Sequence, residues 1–209
     1  MAEHTYEIAS FPAADAVKKD LSVCKPVIEV TKRHTSLPVF VGISVESAKL
    51  YVVATWENTD AHRKFIAHPD YKFAQADFAS LLPEGGAAGI SIVHAHFNAD
   101  PLPLFAAPVV EHAFLTPEDG VTLDELKAAL LRSNEVLAQH RDLSTGAVIG
   151  TMEERPDQLI VIAGWQSLEA HQKFAAPGGP AGDGALVEIF SKVKKEIAVV
   201  EHVSYTKLA

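Results

Sequence analysis

Trp56-Glu57-Asn58-Thr59-Asp60-Ala61-His62-Arg63-Lys64-Phe65 returns further along the chain as Trp165-Gln166-Ser167-Leu168-Glu169-Ala170-His171-Gln172-Lys173-Phe174. Trp, Ala, His, Lys and Phe all recur at one offset of 109 residues, so the chain reads as a tandem repeat. What precedes each Trp agrees. Leu50 to Thr55 and Leu159 to Gly164 are apolar, β-branched runs of the kind that form buried strands. Pro38 to Ser44 and Gly146 to Thr151 lie one short turn upstream and complete a hairpin in each copy. Asn58 and Ser167, two residues past each Trp, are good N-cap types and place a helix start there.

Working outward, each copy reads strand, helix, strand, strand, helix, strand. In the first copy a strand is expected over 5–11 and a helix within 13–34, split or kinked at Pro26. The hairpin 38–56, a helix over about 59–82 and a strand over 90–97 follow. In the second copy the strand is 109–115, and Thr122-Leu123-Asp124-Glu125 has the form of a capping box. The hairpin 146–165, a helix from about 168 and a strand over 198–206 close it. The domains expected are 1–98 and 109–209, with the proline-bearing stretch 99–108 as linker. A βαββαβ unit makes one antiparallel sheet with both helices on one face, and a second copy can cover the other. The fold class expected is α+β: two fused ferredoxin-like repeats forming an internal dimeric α+β barrel.

Composition narrows the functional classes. The 209 residues carry 27 acidic and 18 basic side chains, a formal net charge of −9, which disfavours nucleic-acid binding through phosphate neutralisation. The densest basic run, Lys192-Val193-Lys194-Lys195, reads as the solvated face of a helix. Cys24 is the sole cysteine, which excludes an intrachain disulfide and a cysteine-rich zinc site, and a helical position should bury it. No signal peptide and no transmembrane run are apparent, so a soluble cytoplasmic protein is expected, with no membrane partner.

Trp-x-x-x-x-Ala-His-x-x-Phe behind a β-branched strand, followed by His68-Pro69-Asp70-Tyr71, resembles the dimeric α+β barrel superfamily. Within it the pattern is similar to the antibiotic-biosynthesis-monooxygenase and stress-responsive A/B-barrel groups, over nearly the whole chain and twice. The resemblance implies cofactor-free monooxygenases, cyclases, isomerases and haem-degrading enzymes as relatives in fold. Their functional residues do not carry over. The Trp and His of haem-degrading members fall at Phe65 and Gln75, and the Tyr and His pair of the olivetolic acid cyclase-like members at Phe65 and Tyr71. Of the cyclase-like histidines on strands, one falls at Leu50 and one at or beside His4.

The chain's own histidines, ten in all, supply the alternative. His94 and His96 alternate on one strand face, while His112 and His202 sit mid-strand in the second copy. With strand order 4-1-3-2, His112 and His202 become candidate cross-strand partners, and Tyr6 falls in the region of His94 and His96. Glu111 and Glu201, next to those histidines, should by alternation point the other way. His94, His96, His112 and His202 are the candidate acid–base residues. Tyr6, Trp56, Phe65, Tyr71, Trp165 and Phe174 are the candidate ligand contacts. The structural readings come first: the strand histidines hydrogen-bond between sheets, His62 and His171 pack, and the Trp residues are core anchors.

No cofactor and no metal are expected. The function expected is a cofactor-independent enzyme using histidine acid–base chemistry on a small aromatic or polyketide-like apolar molecule: cyclization, isomerization or monooxygenation. The alternatives are a non-catalytic stress-responsive or ligand-binding protein and, behind it, a haem-binding one. The pseudo-dimer is internal, with a further homodimer left open. Ala175 to Gly184, too rich in Gly and Pro for a helix, reads as a lid or as a tolerated insertion.

Overall fold

The computed structural model describes residues 4–84, 86, 88–182, 184–194 and 199–208. Two units emerge: residues up to His96 together with those from Tyr205 onward, and Phe97–Ser204.

In the first unit, β1 (Thr5–Pro12) is central, flanked by β3 (Lys49–Trp56) and β4 (Ser91–Phe97), and β2 (Val39–Ser44) pairs on the far side of β3. In the second, β5 (Val109–Leu115) lies between β7 (Leu159–Trp165) and β8 (Val199–Lys207), with β6 (Ser144–Met152) beyond β7. Both sheets have the order 4-1-3-2. Followed through all hydrogen-bonded neighbours, the order β1-β3-β2-β8-β5-β7-β6-β4 closes on itself, the topology of a fused dimeric α+β barrel. The expected start of β8 at Ala198 lies outside the described residues.

The helices show where local chemistry overrides a simple pattern. The first helical region breaks into α1 (Asp15–Lys19), a 3-10 turn (Leu21–Cys24) and α2 (Lys25–Lys32). Pro26 sits in the first turn of α2, where its missing N–H has no intrahelical partner to lose. The helix expected over 59–82 is two helices, α3 (Thr59–Ile66) and α4 (Tyr71–Ala79). Pro69 lacks an N–H and disfavours helical geometry at His68, so the chain turns between them. α5 (Leu123–Leu137) starts on the full capping box, with Thr122 accepting from Glu125 N–H and Glu125 accepting from Thr122 N–H. α6 (Leu168–Ala175) and α7 (Ala185–Phe190) complete the second unit. Lys192 and Val193 lie in a turn and a bridge to Pro117 and not on a helix, and Val193 is buried; Lys195 lies outside the described residues.

One face of each sheet carries the helix-side core. In the first unit Ala9, Phe11, Leu50, Ala54 and Trp56 pack with Val17, Cys24 and Ile28. In the second, Ala113, Leu115, Ile149 and Val161 meet Leu126 and Leu130, while Trp165, Phe174, Leu137 and Leu143 form a neighbouring cluster. The stretch 99–108 is not a bare tether: Leu104 and Phe105 form a buried 3-10 turn.

The Gly- and Pro-rich segment is built into the second core. Ala181, 1% exposed, donates its N–H to Phe174 C=O and packs in the cluster with Trp165. A Cβ at Gly182 would lie 1.8 Å from the carbonyl oxygen of Ala176, a clash with backbone that no rotamer relieves. Gly182→Ala is therefore expected to destabilise the chain by about 1–3 kcal/mol, the usual cost of overpacking. Chemical denaturation checks it, and an unchanged midpoint would show the segment to be a loose insertion.

Candidate active site

A carboxylate on the helix-facing side of a sheet is costly unless donors surround it. β1 and β5 each place one there. Glu7 precedes Ala9 and Phe11 on the core face, and Glu111 precedes Ala113 and Leu115 in the same way.

The donors come from the repeated motif. Trp56 Nε1–H donates to Glu7 Oε2 at 2.9 Å, and Trp165 Nε1–H to Glu111 Oε2 at 2.8 Å. The N-caps then begin α3 and α6: Asn58 Oδ1 accepts from Ala61 N–H, and Ser167 Oγ from Ala170 N–H. That start sets His62 and His171 in the first turn, stacked on the indoles at 4.7 and 4.5 Å between ring centroids. Their Nε2 atoms stand 3.4 Å from Glu7 and 3.6 Å from Glu111, ion-pair distances longer than an ordinary hydrogen bond. Their Nδ1 atoms lie 2.7 Å from Nε2 of His94 and His202. Each copy thus holds a Trp-Glu-His-His cluster.

The carboxylate sets the protons. A neutral imidazole beside it favours the tautomer with the proton on Nε2, facing the negative charge. Nδ1 of His62 or His171 is then an acceptor, and the outer imidazole, His94 or His202, donates from Nε2. The chain carboxylate–imidazole–imidazole is a relay that can take a proton at its outer end and spread the charge toward Glu. Both inner links are largely buried: His62 and Glu7 side chains are 8% and 17% exposed, His171 and Glu111 20% and 13%.

Around the first cluster, Phe65 stacks on Trp56 at 5.6 Å and Tyr71 meets Phe65 edge-on at 5.4 Å. Burial, and then the charge of Glu7, raise the Tyr71 phenol above its ordinary value. His34 lies 4.8 Å from Phe65. In the second copy Phe174 packs on Trp165 and His140 packs edge-on against Phe174. The position 109 residues after Tyr71 is Pro180, so that copy carries no tyrosine there.

Of the residues singled out from sequence, His94, His202, Trp56 and Trp165 come together in the clusters, with Phe65, Phe174 and Tyr71 against them. His96 shares the strand face of His94, but the relay bond runs through His94. Tyr6 and His112 occupy neighbouring ladder positions, and His112 lies near enough to His202 to feel its charge. Tyr6 pairs with Ala95, and Glu7 rather than Tyr6 stands opposite His94. In the second copy His112 pairs with Glu201, and His202 with Glu111, so the expected His112–His202 pairing is one residue out of register. Alternation does point Glu111 away from His112, as expected, yet the same register aims it at His202.

Sequence reasoning missed Glu7, set Glu111 aside as pointing away from the histidines, and missed His62 and His171 as the centres of the clusters. The available signal was a Glu two residues before a core Ala in the first strand of each copy. Cys24 is fully buried, and burial with the charge of Asp20 pushes its thiol up to about 11. It stays protonated and inert.

Metal-type donors cluster in threes at two places among the described residues: Glu111 with His171 and His202, and His34 with His68 and Asp70. A surface concavity of about 400 Å³ lies elsewhere, between Thr116–Val121 and Lys194, and holds none of these histidines.

No protein-family model matches the sequence, and no curated protein matches it. Solved structures do match in fold. A protein from Lactobacillus acidophilus NCFM named as a candidate monooxygenase superposes with a TM-score of 0.64 at 11% identity, over 97% of this chain and 94% of that one. An anthrone oxidase-like protein gives 0.64 at 13%, over 98% and 92%. A monooxygenase-like protein from Listeria innocua gives 0.52 at 9%, over 100% and 96%. At such identities the likeness is one of fold. No helix among the described residues is long and apolar enough to cross a membrane.

Burial, and then the nearby His202, lower His112 from 6.5 to about 3, so it is neutral in the folded chain. Between those values the unfolded chain binds more protons, and stability is lost as pH falls through the window, by up to about 1.4 kcal/mol per pH unit. His112→Ile, which installs the residue that the first copy carries at Ile8, is expected to flatten that dependence. Denaturant midpoints above and within the window measure it. An equal acid loss in the variant would mean that His112 is not the group responsible.

Proposed function

We propose that the chain is a cofactor-independent enzyme that abstracts a proton from a small hydroxyaromatic or polyketide-like molecule. The observation that supports it is the carboxylate–imidazole–imidazole chain, built twice from the same types of residue. His94 or His202, at the outer end, takes the proton. His62 or His171 passes charge inward, and Glu7 or Glu111 holds the inner imidazole in its tautomer and stabilises the imidazolium. Imidazole is the side chain most often used for general acid–base proton transfer.

Removing a proton from a phenol or from a carbon beside a carbonyl leaves an electron pair. The pair can attack a carbonyl carbon of the same molecule to close a ring, take the proton back at another carbon, or add to dioxygen, which the substrate's own electrons reduce so that one oxygen stays in the product and the other leaves as water. These are cyclization, isomerization and monooxygenation. The apolar wall of Phe65 and Tyr71 beside the first relay suits a flat aromatic substrate. Monooxygenase and anthrone-oxidase names among proteins of the same fold make oxygenation the first reaction to try, by analogy only.

The cluster also costs stability. A well-packed apolar substitute for a buried charged group is often neutral or stabilising. Two copies that have diverged through most of their length nevertheless both keep it.

The test is turnover of anthrones and related polyphenols under air, followed by mass spectrometry, in the wild type and in Glu7→Gln, Glu111→Gln, His94→Ala and His202→Ala. Loss of the base in the working copy is expected to lower kcat by about 10²-fold or more. The corresponding Glu→Gln change should lower kcat with little change in KM. Full turnover in a His94→Ala/His202→Ala double variant would refute the relay. Binding of these compounds without turnover in the wild type would favour a ligand-binding protein instead.

A further inference from the structure

We propose that His34, His68 and Asp70 form a binding site for one divalent transition-metal ion of the zinc class, separate from the relay and independent of the function proposed for it. His34 follows α2, while His68 and Asp70 belong to the turn that Pro69 imposes between α3 and α4. Packing of α2 on α4 brings the two segments together.

The donor atoms already stand at metal spacing. His34 Nε2 lies 3.2 Å from Asp70 Oδ2, and His68 Nδ1 lies 3.8 Å from the same oxygen. A tetrahedral ion with bonds of about 2.0–2.2 Å separates its ligand atoms by roughly 3.4 Å. The two imidazoles lie 4.5 Å apart between centroids, tilted by 57°. Two nitrogens and one carboxylate oxygen are the donor set that zinc, and cobalt in its place, prefer to calcium or magnesium.

Asp70 has helical backbone angles, φ −69° and ψ −20°, so its side chain does not cap α4 and is left to the imidazoles. The carboxylate is turned to the imidazoles. His68 Nδ1 accepts the N–H of Asp70 at 3.1 Å, and coordination exchanges that bond for one to the metal. The site is open enough for this. Side-chain exposures of 18% for His34, 29% for Asp70 and 48% for His68 leave the fourth position to water.

The other three-donor group, Glu111 with His171 and His202, is more buried and is tied by the Trp165–Glu111 and His171–His202 hydrogen bonds, whereas the first gives up only the His34–Asp70 contact and the Asp70 N–H bond to His68. The second copy does not repeat the open site. At the offset of 109 residues, Pro177 and Gly179 stand where His68 and Asp70 stand in the first. One ion per chain follows. It would tie the end of α2 to the turn that leads directly into Tyr71 at the edge of the first relay.

The experiment is titration of the chelator-treated full chain with Co2+, followed by visible absorption, and with Zn2+ by calorimetry and thermal unfolding. One equivalent is expected to bind with the intense bands of tetrahedral cobalt, to be displaced by Zn2+, and to raise Tm. His34→Ala and the near-isosteric Asp70→Asn should weaken binding by more than the ~10–100-fold that loss of an outer-shell partner costs. His202→Ala should leave it intact. Circular dichroism shows that the variants fold, and Asp70→Asn serves if His34→Ala does not. No stoichiometric uptake, uptake that survives Asp70→Asn, or uptake abolished by His202→Ala would each overturn the assignment. None of these readouts depends on turnover.

Discussion

A carboxylate held between sheet and helices is the constraint from which each half of this protein is arranged. Glu7 and Glu111 leave water to face the packed side of a sheet, where an uncompensated charge costs several kcal/mol. The indole N–H at the end of the neighbouring strand answers part of that cost, since a hydrogen bond to a charged group contributes about 1.5–3 kcal/mol. Indole and imidazole stack, which fixes the first turn of the following helix against the strand it has just left. Strand end, N-cap, first turn and central strand are all held through one anion.

That dependence explains why the motif was visible and why its chemistry was not. Trp, Ala, His, Lys and Phe recur at a single offset because no insertion separates the strand end from the helix. The other members of the cluster recur at their own spacings. Glu7 and Glu111 are 104 residues apart, His94 and His202 are 108, and His34 and His140 are 106. Loops of unequal length lie between them, so a search at constant offset pairs only His62 with His171. The strands, their order and both N-caps follow from patterns local to a few residues. A site assembled from three strands and a helix does not, because a cross-strand register displaced by one residue exchanges the two faces. His112 shows the effect: sequence placed it opposite His202, and the ladder puts Glu201 there instead.

The fate of the two helices after the motif carries the same lesson in reverse. Gly and Pro between Phe174 and Ala185 announced that no helix forms; Ala175 still ends α6, and the described residues from Ala176 to Gly184 are not helical. They did not announce that Ala181 would be buried and that Gly179 and Gly182 would press on backbone carbonyls with no room for a Cβ. Composition reports which backbone conformations are permitted. It is silent about what the permitted conformation packs against. In the first copy the corresponding stretch is the His68-Pro69-Asp70-Tyr71 turn and α4, and its side chains are polar or aromatic where those of the second copy are small.

The two copies therefore share a relay and differ in what surrounds it. In the first, a partly buried tyrosine and a second group of imidazoles and carboxylate stand beside Phe65; in the second, a tight glycine-rich turn fills the equivalent region. The outer imidazoles differ in the same sense, since His202 is only 6% exposed whereas His94 is intermediate. A base must be reached by its substrate, and a phenol such as Tyr71 helps only where a substrate oxygen can approach it. The hydrogen-bonded Trp-Glu-His-His cluster occurs in both copies, and the segments that surround it differ. Identical chemistry at the centre need not mean two equivalent sites, because access and shape are decided by those segments that no longer resemble one another.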